Sequence, residues 1–422
     1  MKRSLRILLI GRRFWPHGSS DSACFLTELA CAIRRSGMHI EVLTPRYASS
    51  WPEELVVREI PVHRPAAAPR SDWSIGRYLK HLTSWLQQHA QSFDALLVDA
   101  IREEAIAVTE VGKQLGIPVV LRCSGWGDAS DPNWWKTSRT AKRCCNVAKN
   151  ADAIVADGGI NQRDLIAEGF APERIQRINK GFPNFPARTA LSRQLAREAL
   201  GKVNSDLITH EQTPVLLCTS PMTRGGGINL LVNAAPHLIN RYRDLRLWFI
   251  GDGPYRDWIY ETLRGHGVRA SIAMPGSFSD FAELCQAADL FFQPDDDGLD
   301  YFLPTAISAE LPLVCLRTPS TESLLCGAPS SQLAIKTDRD NDSAAETADL
   351  VQWIDASTAK QTRLGVTRVL DDMEQARHRA AELRRSLLRS RPQIDSVQGY
   401  MNLLEKLVQQ RPPNSPSTET VS

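Results

Sequence analysis

The chain has 422 residues, and at roughly 150 residues per domain that length calls for more than one domain. Hydrophobic residues make up 42% and charged residues 23%, a globular composition that excludes fibrous and disordered classes. Lys and Arg total 50 against 48 Asp and Glu, so the net charge of +2 excludes a protein that tracks nucleic-acid phosphates, and any anion site must be local.

The opening run LRILLI, about Leu5 to Ile10, reads as a strand and is far shorter than the roughly 20 residues of a membrane span. No small-residue cleavage site follows it, so a cytoplasmic location is expected. A helix from about Ser22 to Arg35 carries Phe25, Leu29 and Ile33 on one face, and a strand at about Ile40 to Thr44 completes a βαβ unit. The helical stretch RYLKHLTSWLQQHAQ mixes basic residues with Leu79, Leu82, Trp85 and Leu86. It reads as core-facing, with a peripheral contact to an anionic membrane left open. Strands near Ala95 to Val98, Val119 to Leu121 and Ala153 to Ala156, with helices near Glu103 to Gln114 and Asn161 to Glu168, complete a parallel α/β domain over residues 1–185.

Residues 186–212 read as an irregular linker. The alternation then resumes with PVLLC, LRLWFI, SIAM and DLFF, giving a second parallel α/β domain over 213–390 that closes on one long Arg-rich helix from about Thr362 to Ser390. A helix in 391–410 is expected to return to the first domain, and the tail 411–422 has a disordered composition. The nine cysteines include no CxxC pair, so buried reduced thiols and no metal site are expected.

Three loops carry chemistry. The first strand leads into GRRFWPHGSSDSA, which sets Gly18, Ser19 and Ser20 just upstream of helix amides, with Arg12 and Arg13 near in sequence. Such a loop accepts an anion or a sugar hydroxyl, and helix capping by Ser20 or Asp21 is the equal alternative. After PVLLC, the run TSPMTRGGG puts Gly225, Gly226 and Gly227 at the start of a helix beside Arg224, where bare backbone admits a diphosphate and a guanidinium neutralises it. At LRLWFIGDGP an apolar strand meets Gly251, Asp252 and Gly253. The run Asp295 to Asp297 reads as a polar loop, since no spaced partner for a metal is evident.

Taken in order, GDGP, PGSFSDFAEL and AADLFFQPDDDGLDYFLPTAISAELPLV resemble the donor-binding half of glycosyltransferase family 4. The opening strand and loop, LACAIRRSGMHIEVLTP and ADAIVADGGINQRDLIAEGFAPERIQRINKGFPN resemble its first domain. The resemblance implies the GT-B fold, two Rossmann-like domains facing across a cleft. It also implies retaining, metal-independent transfer of a sugar from a nucleotide-diphosphate sugar, with no cofactor, to a glycan, lipid-linked or small-molecule acceptor, as in polysaccharide biosynthesis. It puts Asp297 where the family's first motif glutamate contacts the sugar, and Thr305 where the second holds the ribose. Gly298, Leu299, Asp300 and Tyr301 fall beside the phosphates, and Ser277 and Phe278 beside the base. Ser124 stands where many members carry a histidine, with Arg122 or Asp128 as candidates to share that role. Pro221 and Gly226 replace the family's arginine and lysine, which leaves Arg224 as the local cation and, with Asp297, the expected catalytic pair. The competing expectation is a member without turnover that binds nucleotide, glycan or a partner protein.

Overall fold

The computed structural model describes residues 4–14, 20–278, 280–327 and 347–410. Two sheets account for all the strands among them. The first holds β1 (Arg6–Gly11), β2 (His39–Leu43), β3 (Glu54–Val57), β4 (Ile60–His63), β5 (Ala95–Asp99), β6 (Val119–Cys123), β7 (Ala153–Ala156) and β8 (Ile175–Arg177), in the order β3-β4-β2-β1-β5-β6-β7-β8. Its pairings are parallel except for the β3–β4 hairpin. The second holds β9 (Val215–Thr219), β10 (Arg246–Ile250), β11 (Ile272–Gly276), β12 (Leu290–Gln293), β13 (Leu313–Leu316) and β14 (Gln352–Ile354), all parallel, in the order β11-β10-β9-β12-β13-β14. This is the two-domain Rossmann-like architecture of the GT-B fold.

The strands read as continuous apolar runs because helices cover both faces of each sheet. Leu8, Ile10, Leu96 and Val98 point into one core, and Ile7, Leu9, Ala95 and Leu97 into the core opposite. In the second domain Leu216, Cys218, Phe249 and Phe292 fill one face while Val215, Leu217, Trp248 and Phe291 fill the other. The helix Asp72–His89 buries Tyr78, Leu82 and Leu86 against the first of these cores, so its apolar stripe faces inward. Among the described residues no helix is long and apolar enough to cross a membrane. Every cysteine is a free thiol, buried or half-buried.

Three parts of the chain depart from the sequence reading. The stretch 186–212 is not irregular, because it contains the helix Ala190–Val203, whose Thr189 cap accepts from Ser192 N. Only Ala196, Arg197 and Leu200 of that helix are buried, while Leu191, Leu195 and Val203 stay exposed, so it lacks an apolar stripe. The Arg-rich helix is two helices, Ala359–Asp371 and Met373–Ser390. They break at Asp372, whose side chain caps the second by accepting from Gln375 N at 3.1 Å. The β3–β4 hairpin, with Pro61 in it, gave no alternating pattern to read.

The helix Gln393–Gln410 lies on the first domain, where Val397, Tyr400, Leu403 and Leu404 join the core of Ile7, Leu9 and Phe25. The chain crosses back beside Gly181, where a Cβ would lie 2.6 Å from Gln393 Cα. The tail 411–422 lies outside the described residues.

Candidate active site

In parallel sheets ligands bind beyond the carboxyl ends of the strands, where the strand order reverses. Those points fall between β1 and β5 in the first sheet and between β9 and β12 in the second. Charged residues end the first domain's apolar strands: Asp99 closes β5, Arg122 lies at the end of β6, Asp157 follows β7 and Lys180 lies just beyond β8. All four are buried, and Asp300 from the loop after β12 reaches into them.

Arg122 is the hub. Its Nη1 donates to Asp99 Oδ1 at 2.6 Å, its Nε to Asp157 Oδ2 at 3.0 Å, and its Nη2 pairs with Asp157 and lies 2.8 Å from Asp300 Oδ2. The guanidinium lies 4.0 Å from the centre of the Phe25 ring. Asp300 also accepts from Trp126 Nε1 at 3.0 Å, and Lys180 Nζ stands 3.9 Å from it. That ammonium sits 3.4 Å over the Phe25 ring and makes no hydrogen bond among the described residues. One guanidinium therefore gathers three carboxylates, two from its own domain and Asp300 from the other.

A second link runs the other way. Asp21, the first residue of the helix Asp21–Arg35, sends its carboxylate across the cleft to accept backbone N–H groups of Asp300 at 2.8 Å, Tyr301 at 2.7 Å and Phe302 at 2.8 Å. Successive amides converging on one point form an anion-binding nest, and here the protein's own carboxylate fills it.

The charges do not balance, and the acid groups register it. Burial pushes Asp99 up to about 6 against the pull of Arg122. Burial and the nearby Asp300 push Asp21 up as well. Asp300 alone is held low, because Arg122 and Lys180 outweigh its burial. Burial lowers Lys180 to about 8 despite Asp300. Asp297 is pushed up to about 8, first by burial and then by Asp21, Asp295 and Asp300. At neutral pH Asp297 is therefore mostly a protonated carboxyl that can donate a hydrogen bond.

On the second-domain side, the loops after β9 and β12 interlock. Asp295 accepts from Gly227 N at 2.8 Å, Ser220 Oγ at 3.0 Å and Asp297 N at 3.0 Å, so the Gly227 amide is already spent on a carboxylate. Arg224 and Gly225 are exposed on the turn, and Arg224 forms no ion pair among the described residues. Gly226 lies at the foot of that turn, its N–H donating to Thr223 O at 3.2 Å. Gly251 and Gly253 bring the loop after β10 against the loop after β9: at φ +159° a Cβ on Gly253 would lie 2.4 Å from Met222 O. Asp252 locks the same junction by accepting from Met222 N through its carbonyl and from Gly253 N through its side chain. Ser277 is exposed and Phe278 half-buried at the end of β11. Thr305 is buried in the helix Phe302–Ser308 and its hydroxyl has no partner.

On the first-domain side, Ser124 is buried, accepting from Arg122 Nη1 at 3.1 Å. Gly127, at φ +51°, faces Asp296 so closely that a Cβ would lie 1.8 Å from its Oδ2. Asp128 is exposed beside it. Ser20 does not cap its helix, and its Oγ is buried without a partner among the described residues. Gly18 and Ser19 lie outside the described residues. Arg12, expected near an anion loop, is instead held by Glu103 at 2.7 Å and Glu104 at 2.8 Å, because those acids begin the adjacent helix. Among the described residues no group of His, Cys, Asp and Glu is placed to hold a metal ion.

The structure thus gathers Asp297 to Tyr301, Arg122, Ser124 and Ser20 around one cleft, and sets the glycines of GDG against a neighbouring loop. Sequence reasoning missed Asp99, Asp157 and Lys180, and weighed Asp21 only as part of the loop before the first helix or as its cap. A signal existed: ALLVD, VVLR and AIVAD each end an apolar run in a charge, which a fully buried strand does not need for folding.

Comparison with known proteins agrees with this fold. The glycosyl transferase 4-like domain matches residues 23–181, and the glycosyl transferases group 1 family matches residues 213–352. Among solved structures the chain is similar to Anabaena HepE in complex with UDP-glucose, at 13% identity and TM-score 0.69, covering 95% of this chain and 100% of that one. It is similar to WaaG, a glycosyltransferase involved in lipopolysaccharide biosynthesis, at 15% identity and TM-score 0.65, covering 96% and 100%. It is also similar to sucrose-phosphate synthase from Thermosynechococcus elongatus, at 14% identity and TM-score 0.66, covering 96% and 100%. At such identities the likeness is one of fold. No curated protein matches the sequence.

Proposed function

We propose, from the premise that this chain belongs to glycosyltransferase family 4 and has the GT-B fold, that it moves a sugar from a nucleoside-diphosphate donor in the interdomain cleft to an acceptor hydroxyl. The observation that carries this reading is the Asp21 carboxylate seated on the amides of Asp300, Tyr301 and Phe302. A phosphate oxygen has the same chemistry as that carboxylate, so a donor diphosphate takes the nest by displacing it.

In this reading the leaving diphosphate is stabilised by those amides, by Lys180 and by Arg224, with no bound metal. The neutral carboxyl of Asp297 donates to a hydroxyl of the transferred sugar, and Thr305 meets the ribose. Transfer proceeds with retention, the acceptor hydroxyl giving its proton to the departing phosphate. Closure of the domains through Arg122 and Asp300 excludes water. The acceptor, a glycan, lipid-linked or small-molecule hydroxyl, approaches along the loop from Ser124 to Asp128. A cytoplasmic role in polysaccharide assembly belongs to the same proposal.

A second reading, a member that binds nucleotide without turnover, is favoured by one observation: Asp295 already occupies the Gly227 amide next to the replaced cations at Pro221 and Gly226. The test incubates the full chain with a panel of UDP-, GDP- and ADP-sugars and follows nucleotide release, then repeats it with Arg224→Ala. Slow hydrolysis of at least one donor, with an Arg224→Ala loss of about fivefold in kcat/KM, ~1 kcal/mol, supports the transferase. Donor binding without release supports the second reading, and the absence of any binding overturns both.

A further inference from the structure

The opposite edge of the second sheet carries a charge cluster of inverted sign. Asp289 immediately precedes β12, and its carboxylate accepts from Val215 N at 2.9 Å. Arg188 Nη1 at 3.1 Å, Arg193 Nε at 2.9 Å and Arg197 Nη2 at 2.8 Å converge on the same carboxylate, and Arg377 Nη2 lies 4.0 Å away. One negative charge thus faces four guanidiniums. Burial and mutual repulsion hold Arg197 down to about 10 and lower Arg188 too, in spite of Asp289.

The four differ in how they spend their donors. Arg197 is saturated by the carbonyls of Ala287, His210, Glu211 and Thr213, and Arg193 also reaches Glu211 and Thr213. These two pin the helix Ala190–Val203 to the sheet. Among the described residues the Arg188 side chain gives only Nη1, to Asp289, and Arg377 has only its distant contact. Both line a cavity of about 1020 Å³ between the helix Ala190–Val203, the segment 208–214 and the helices Ala359–Asp371 and Met373–Ser390. Lys202 adds a further cation to its wall, Tyr242 and Met373 supply an apolar floor, and Thr209 Oγ1 is buried without a partner. The acids Glu198 and Glu211 also line it but pair with none of these arginines.

We propose that this cavity is a second binding site, for a phosphate monoester or diphosphate group held by Arg188 and Arg377, with the ligand's body on Tyr242 and Met373. Guanidinium forks match phosphate oxygens in pairs, and the volume is of the size that holds a small molecule. The site is separate from the donor cleft: it lies at the amino end of β9, and five residues of strand, about 17 Å, separate it from the carboxyl edge. The phosphate belongs to a free metabolite or to a lipid headgroup.

The test is hydrogen exchange on the full chain with pyrophosphate as probe, repeated on Arg377→Glu, an exposed position outside the cleft. The expected result is protection of residues 190–203 and 373–390 with a binding constant at least tenfold weaker in the variant. Protection confined to the cleft loop 295–305, no protection at all, or protection unchanged in Arg377→Glu overturns the proposal; protection confined to the cleft leaves the transferase reading intact. Vesicles of phosphatidylcholine with phosphatidic acid identify the source. Binding of the wild type but not Arg377→Glu, reversed by pyrophosphate, assigns a headgroup, and pyrophosphate protection without vesicle binding assigns a free metabolite.

Discussion

Two charge hubs of opposite construction hold this molecule together. At the cleft one guanidinium, Arg122, is shared among Asp99, Asp157 and Asp300; at the base of the second domain one carboxylate, Asp289, is shared among Arg188, Arg193, Arg197 and Arg377. Each leaves a surplus of charge, and the surplus appears as displaced pKa values: at the cleft Asp99 and Asp157 rise while Asp300 is held low, and at the base Arg188 and Arg197 fall. The difference lies in which elements each hub joins. Arg122 and Asp300 join the two domains, whereas Arg193 and Arg197 fix a helix to its own domain. In the proposed reading the surplus at the domain boundary serves as a latch that donor binding releases, and the same surplus inside one domain leaves donors free for a ligand.

Removing each hub's centre should separate the two roles, and the cleft should suffer more. Arg122→Met strands three buried carboxylates, and chemical denaturation should record a loss of about 3–5 kcal/mol. Asp289→Asn leaves guanidiniums that still reach carbonyls and solvent, so a loss of about 1–3 kcal/mol is expected, partly restored by pyrophosphate if the base cavity takes anions. Equal losses would erase the distinction.

The pH response sharpens it further. A carboxyl whose pKa is raised on folding favours the folded form at low pH, and that contribution is lost as pH rises through the folded value. Asp297, up at about 8 from an ordinary 3.8, should therefore ionise as pH passes 8, adding negative charge beside a bound diphosphate. Lys180, lowered to about 8, loses its charge over the same range, so donor affinity should fall through both groups, and Asp297→Asn, fixed in the neutral form, should make the fall shallower without abolishing it in a titration series at several pH values.

The smallest expected effect comes from backbone approach. Gly127→Ala puts a methyl into Asp296 across the cleft and should weaken closure by about 1–2 kcal/mol, read as faster exchange in residues 295–302 with little change in overall stability.

The α/β architecture was legible because strands buried on both faces must be apolar throughout, so PVLLC, LRLWFI and DLFF announce themselves. The helix Ala190–Val203 was not, since its inward face is built largely from Arg193 and Arg197 bonded to carbonyls rather than from an apolar stripe. Loop glycines and Asp297 stood out through local order in the text. Asp21, Asp157 and Lys180 did not: Asp21 and Lys180 meet Asp300 more than a hundred residues away, Asp157 meets Arg122 from the end of another strand, and a single sequence carries no trace of those pairings. Arg224 was legible as a cation, but its exposure was not, and the buried cations at the cleft turn out to be Arg122 and Lys180.

The central claim is that the nest of Asp300, Tyr301 and Phe302 is a phosphate site occupied by Asp21. Calorimetric titration of wild type and Asp21→Ala with UDP-, GDP- and ADP-sugars tests it most directly. The account expects at least one donor to bind, and to bind about tenfold more tightly, ~1.4 kcal/mol, once the competing carboxylate is gone. Unchanged or weaker donor binding in Asp21→Ala would contradict it.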